Sequence, residues 1–112
     1  MSASDRKVLN ILLPEERTAK LEMQSEKELQ SMCESELNRR NIVYLHLSFR
    51  AREKIGWPDL TFVVFGKPYA VELKTATGKL SPEQISVMQR MERNGWETVI
   101  VHSFEEFRKL LE

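Results

Sequence analysis

Residues 56–74 read GWPDLTFVVFGKPYAVELK, and this stretch decides the fold. Asp59–Phe65 and Tyr69–Lys74 are rich in β-branched and aromatic residues. Gly66-Lys67-Pro68 between them is a short turn, so the stretch predicts a β-hairpin. Glu72 breaks the apolar pattern, flanked by Val71 and Leu73. Side chains two apart on a strand share a face, which makes Glu72 and Lys74 neighbours, roughly 7 Å apart at the backbone. Counted from Lys67, Asp59 lies eight residues before and Lys74 seven after. Asp59 is therefore expected about opposite Lys74 and diagonal to Glu72, within side-chain reach.

Two carboxylates and an ammonium at one end of a half-buried hairpin suggest a particular chemistry. Carboxylates a few ångströms apart repel, and one resists ionising unless a cation joins them. A hard divalent ion such as Mg²⁺ or Mn²⁺ prefers oxygen ligands and removes that penalty. An ion held there polarises a phosphate and acidifies water. Lys74 would orient or help deprotonate that water and support the charge on the reacting phosphorus. A lone Glu-x-Lys is most often a salt bridge on a solvated sheet face. The Gly-x-Pro-Asp of Gly56–Asp59 at a strand start sets this one apart.

Working outward, Ile42–Phe49 predicts another strand, and residues 50–57 a basic loop closed by Gly56. Ser25 and Glu28 have capping-box spacing, and Leu29, Met32, Cys33 and Leu37 give the stripe of an amphipathic helix ending near Arg40-Asn41. After a loop over residues 75–80, Ser81-Pro82-Glu83-Gln84 is a second capping box. It opens a helix with Ile85, Met88 and Met91 that stops at Asn94-Gly95. Glu97–His102 predicts a fourth strand, and Ser103–Glu106 a third box opening a helix with Phe107, Leu110 and Leu111. The order is α-β-β-β-α-β-α. A helical crossover makes the third and fourth strands parallel, giving an α/β fold with a mixed four-stranded sheet flanked by helices. Residues 1–24 are expected to form an N-terminal arm with a short helix from Pro14 to about Met23, and residues 25–112 the domain proper.

The chain has 112 residues, 41% of them apolar, which suits one domain with a modest core. No run approaches the ~18 apolar residues of a membrane span, and no secretory leader is expected. Cys33, the single cysteine, falls on an apolar helix face and suits a reducing cytoplasm. Net charge is zero, but its distribution is uneven. Residues 38–82 carry 8 basic and 3 acidic side chains, and two of those acids are Asp59 and Glu72. Without that pair the segment is a basic surface suited to phosphates.

GWPDL (Gly56–Leu60), VELK (Val71–Lys74) and GKLSPEQ (Gly78–Gln84) together resemble the virus-type replication-repair nuclease family. This is the VRR-NUC branch of the PD-(D/E)xK nucleases, with a restriction-endonuclease-like core. The resemblance covers roughly residues 25–104. It implies that Asp59, Glu72 and the backbone carbonyl of Leu73 bind metal, that Lys74 is the catalytic lysine, and that Gln84 has a site role besides capping its helix. The family also uses a glutamate on the first core helix in an E-x-x-x-Q pattern, which Glu26 and Gln30 match. At 100° per residue with Leu29 at zero, Glu26 falls at about 60° and Glu36 at about 340°, so both face inward; Glu26 is the expected metal ligand and Glu36 its rival. Arg50, Arg52, Lys54 and Lys79 are the expected contacts to the DNA backbone. His46 and His102 lack ligand spacing and read as structural, and Trp57 as packing or rim.

The resemblance implies a Mg²⁺- or Mn²⁺-dependent endonuclease that leaves 5′-phosphate and 3′-hydroxyl ends. Stand-alone members of phage and bacterial type act as homodimers on branched DNA, so a four-way (Holliday) junction is the expected substrate. A flap or single-strand nuclease and a restriction-like enzyme are the rivals within that chemistry. A catalytically idle DNA-binding module on the same fold is the rival outside it.

Overall fold

The computed structural model describes residues 25–75 and 78–112. The helix expected over Pro14–Met23 lies outside the described residues. The described elements are α1 (Glu26–Arg39), β1 (Tyr44–Leu45), α2 (Phe49–Ile55), β2 (Leu60–Val64), β3 (Lys67–Leu73), α3 (Pro82–Arg93), β4 (Glu97–Val101) and α4 (Phe104–Leu110). The strands form one mixed sheet in the order β1-β2-β3-β4, with β3 and β4 parallel and the other pairs antiparallel.

The β2–β3 hairpin turns one residue earlier than the sequence suggests, which shifts the pairing by two. Phe65 and Gly66 form the loop, both with positive φ (53° and 75°), and Val64 pairs with Lys67. Two left-handed residues in a two-residue loop match the twist of the strands they join. The Phe65 side chain is exposed there. The resulting register pairs Leu60 with Val71, so the next step outward sets Asp59 level with Glu72 rather than with Lys74. A slip of two residues keeps every side chain on its expected face.

One face of the sheet carries Leu60, Phe62, Val71, Leu73 and Val101. These pack with Leu29, Cys33 and Leu37 of α1 and with Phe107 and Leu111 at α4 as a single core. Phe62 stacks on Tyr69 and meets the edge of Phe107. Glu72 sits in β3 between two members of that core, yet strand alternation turns it to the opposite face with Thr61 and Ala70.

The predicted caps are present in graded form. Ser81 and Gln84 exchange both bonds of a capping box at α3. Ser25 accepts from the Glu28 N–H at α1. Ser103 accepts from the Glu106 N–H, while the Glu106 carboxylate accepts from the His102 N–H, one residue before the cap.

Two expectations are corrected between residues 42 and 57. The strand expected over Ile42–Phe49 is confined to Tyr44–Leu45, and the expected basic loop is helix α2. Both follow from how Leu47 and Ser48 spend their backbone groups. The Ser48 carbonyl accepts from the Arg52 N–H at 3.0 Å, its hydroxyl from the Ala51 N–H, and the Leu47 carbonyl from Arg52 Nε at 2.9 Å. Those bonds draw the chain out of the sheet and into a helix. Gly56 ends α2 at φ 74° and lies so close to α3 that a Cβ there would stand 2.6 Å from the Glu83 carbonyl oxygen. Among the described residues, no helix is long and apolar enough to cross a membrane.

Candidate active site

Asp59 lies just before β2, beyond the last rung of the β2–β3 ladder. Its side chain supplies the bond that the backbone no longer can: Oδ2 accepts from the Leu73 N–H at 2.7 Å. This bond pins the carboxylate against β3 next to Glu72. The Leu73 carbonyl points to the same edge of the strand as that N–H. Asp59 is 5% exposed and Glu72 1%. Burial, then a hydrogen bond shared with Asp59, then the Asp59 charge push the Glu72 carboxyl well above its ordinary range; Lys74 and Arg52 work the other way. Two buried carboxylates thus stand side by side, the electrostatic situation the hairpin pattern implies.

Three further side chains complete the surround. Gln84, at the start of α3, donates from Nε2 to Glu72 Oε2 at 3.1 Å while its Oε1 accepts from the Ser81 N–H. The same amide therefore caps the helix and contacts the site. Lys74 is half-buried one strand repeat beyond Glu72. Arg52 forms an ion pair with Asp59 Oδ1, its side chain only 13% exposed.

Arg52 differs from the expectation of a phosphate contact. In a loop, Arg50, Arg52 and Lys54 would share one surface. In α2, residues two apart point in nearly opposite directions, while four apart share a face. Arg50 and Lys54 are accordingly exposed together, and Arg52 turns inward onto Asp59. Lys79 is exposed.

The two helix glutamates also separate. Glu36 is buried at the far end of α1, bonded by Arg39 at 3.0 Å and by Arg40 at 2.7 Å, and Arg40 reaches on to the Leu111 carbonyl. Those partners hold the Glu36 carboxyl down at about 2, the Arg39 bond contributing most. Glu26 is solvent-exposed at the start of α1. It lies beside Lys74 nonetheless: a Cβ built on Gly78 would meet Lys74 Cδ at 3.1 Å and Glu26 Oε1 at 3.4 Å. Of the two, Glu26 is the one the fold brings near the hairpin.

A cleft of about 390 Å³ opens beside this cluster, with Phe49, Arg52, Lys74, Lys79, Leu80 and Gln84 among its lining. Arg52 and Gln84 are the residues bonded to the two carboxylates, so the cleft leads to them.

Both histidines have a part that their sequence spacing does not reveal. His46 Nδ1 lies 2.8 Å from the Asp59 carbonyl oxygen, and His102 Nδ1 3.2 Å from that of Lys74. Trp57 packs edge-on against Trp96, as expected of a packing residue.

The donor set suits a hard divalent cation: two adjacent carboxylates and a carbonyl facing the same side. Among the described residues, no three His, Cys, Asp or Glu side chains cluster as metal ligands. Asp59 and Glu72 are a pair, and a third donor would have to come from the backbone or from the more distant Glu26.

A family model of the VRR-NUC domain matches residues 2–105, beginning within the segment that patterning set apart as an arm. A solved structure described as a VRR_NUC domain is similar with a TM-score of 0.63 at 26% identity, covering 76% of this chain and 91% of that one. Among curated proteins, none matches. The match spans the hairpin, both carboxylates, Lys74 and Gln84, and it agrees with the observed mixed sheet. The chain belongs to the VRR-NUC domain family, and membership implies nuclease activity on DNA.

Proposed function

We propose that this protein is a Mg²⁺- or Mn²⁺-dependent endonuclease that cuts branched DNA, four-way junctions foremost, as a homodimer in the cytoplasm. The observation that carries the chemistry is the buried Asp59–Glu72 pair with Lys74 one strand repeat away. Asp59, Glu72 and the Leu73 carbonyl would hold the ion, with Glu26 as a further oxygen donor. When bound, the ion supplies charge neutralisation at the phosphate and a more acidic water.

The remaining work falls to the chain itself. Gln84 keeps Glu72 oriented through the N-terminus of α3. The Leu73 N–H holds the Asp59 carboxylate in place. Lys74 presents its ammonium to the attacking water and to the charge that develops on phosphorus. Arg52 is the countercharge to Asp59. It lines the cleft with Lys74 and Lys79 and would serve there as a phosphate contact, while Arg50 and Lys54 meet the backbone further out. The family resemblance implies 5′-phosphate and 3′-hydroxyl ends, which requires that water displace the 3′-oxygen.

The branched substrate is supported by resemblance to stand-alone members of phage and bacterial type, and by geometry. One copy carries one Asp59–Glu72 pair, whereas two copies about a twofold axis would place paired sites on a symmetric junction. The test is cleavage of an end-labelled four-way junction in Mg²⁺ or Mn²⁺ against flap, duplex and single-stranded DNA, with light scattering for oligomeric state. Paired symmetric nicks by a dimer are expected. Preferential cutting of flaps or single strands, or a monomer at tens of micromolar, would remove the junction reading and leave the nuclease.

A further inference from the structure

His46 touches the site from behind, at the point where β1 stops. The β1–β2 register pairs Leu45 with Thr61, so a longer β1 would bring backbone alongside Leu60 and Asp59. The chain instead leaves for α2, and the imidazole of His46 takes the Asp59 carbonyl, Nδ1 to O at 2.8 Å. A carbonyl oxygen only accepts, so Nδ1 carries the hydrogen, and in the neutral ring Nε2 is an acceptor. Gln30 meets that requirement: its Nε2 stands 2.8 Å from His46 Nε2 and donates to it. The same amide nitrogen gives its other hydrogen to Glu34 Oε2 at 2.8 Å, and Glu34 Oε1 accepts from the Tyr44 hydroxyl at 2.8 Å. Each donor in the chain meets an acceptor, and the sequence of bonds admits one ring tautomer and one ring orientation.

We infer that His46 is a positioning residue for Asp59. Asp59 lies beyond the last rung of the ladder, so no strand neighbour fixes its backbone. The His46 bond supplies that restraint and sets the direction in which the Asp59 side chain leaves the chain. The carboxylate's hold on the Leu73 N–H, and its stance toward Glu72, depend on that direction. The role of Gln30 follows: it orients the imidazole rather than touching Asp59 or Glu72. A buried carboxylate needs such support, since misplacement by an ångström separates it from its partner donors. The inference rests on the reading of Asp59 as a metal-binding carboxylate for its functional consequence, but not for its structural one.

Two substitutions separate the contacts of the ring. In His46→Asn the amide nitrogen reaches about where Nδ1 stands and keeps the bond to Asp59. In His46→Gln it reaches toward the Nε2 position and loses it. Amide hydrogen exchange at Leu73 in metal-free protein reports the Asp59 carboxylate directly, because that N–H is bonded to Oδ2. Val71, inside the same ladder, is the reference for general loosening. Relative to Val71, Leu73 exchange is expected to rise by about tenfold or more in His46→Gln and to stay within about threefold of the unsubstituted protein in His46→Asn. Calorimetric titration with Mn²⁺ should show affinity about 10- to 100-fold weaker in His46→Gln and largely restored in His46→Asn. Equal impairment of the two variants, or unchanged Leu73 exchange in His46→Gln, would overturn the inference. If the unsubstituted protein binds no Mn²⁺, the metal reading falls, while Leu73 exchange still decides the role of His46.

Discussion

Gln84 and Glu72 are joined at 3.1 Å by an amide whose other end caps α3, so helix and strand are held in register at the site by one side chain. Removing it should act on two quantities. Gln84→Ala is expected to lower stability by about 1 kcal/mol through the lost cap bond, seen as a shift of the urea midpoint. It should also slow cleavage by about tenfold or more, the usual scale for groups that orient a ligand. A stability loss with full activity would reduce Gln84 to a cap.

Glu72 is buried beside Asp59, and that placement costs stability in the absence of metal. Its carboxyl is held above the ordinary value of 4.5 in the folded chain. A raised carboxyl favours folding most at low pH, and the benefit is lost as pH rises above 4.5, because the unfolded chain then releases a proton that the folded one retains. Glu72→Gln removes the ionisation. In EDTA, its urea midpoint should exceed that of the unsubstituted protein at pH 8 and approach it at pH 4, while cleavage is abolished. The same ordering at both pH values would contradict a raised Glu72 carboxyl.

Gly56 connects α2 to α3 and, through α2, positions Arg52. Gly56→Ala forces a side chain into a left-handed backbone, worth about 1–2 kcal/mol by itself. It also sets a Cβ 2.6 Å from the Glu83 carbonyl oxygen and 3.1 Å from the Gln84 nitrogen. Denaturant unfolding should show a loss larger than the backbone cost alone, with reduced cleavage because the start of α3 is displaced. Gly66→Ala shares the positive φ but meets no neighbour, so it should cost the backbone increment only and leave cleavage intact.

Glu36 forms a structural ion-pair cluster away from the site. Its folded carboxyl is held at about 2, below the ordinary 4.5. A depressed value means the stabilisation is complete above 4.5 and is lost as pH falls toward 2. Glu36→Gln should therefore be less stable than the parent at pH 7 and indistinguishable from it near pH 2, with cleavage at neutral pH unaffected wherever the variant is folded. Loss of metal affinity in this variant would instead reinstate Glu36 as the helix carboxylate.

Much of this arrangement is legible in the amino-acid sequence, for identifiable reasons. The hairpin and the shared face of Asp59, Glu72 and Lys74 follow from a period of two, and a two-residue slip in register leaves that period intact. The crossover through α3 is marked by Ser81, Pro82 and Gln84, whose box is fully formed. Helix α2 is hidden because it buries no residue and so leaves no apolar stripe to read; Phe49 and Ile55 are both exposed. Once α2 is missed, Arg52 cannot be told from Arg50 and Lys54. His46 is obscure for another reason. Its partners Gln30 and Asp59 are 16 and 13 residues away, and only the premature end of β1 brings them together.

Cleavage of labelled DNA with added Mn²⁺ or Mg²⁺ and with EDTA, using the parent chain, Asp59→Asn and Lys74→Ala, tests the central claim most directly. Both variants should keep the fold by circular dichroism. The expected result is metal-dependent cutting by the parent chain and a loss of at least about 100-fold in each variant. Cutting that persists in Asp59→Asn, or that is unaffected by EDTA, would contradict a metal-dependent nuclease site built on this hairpin.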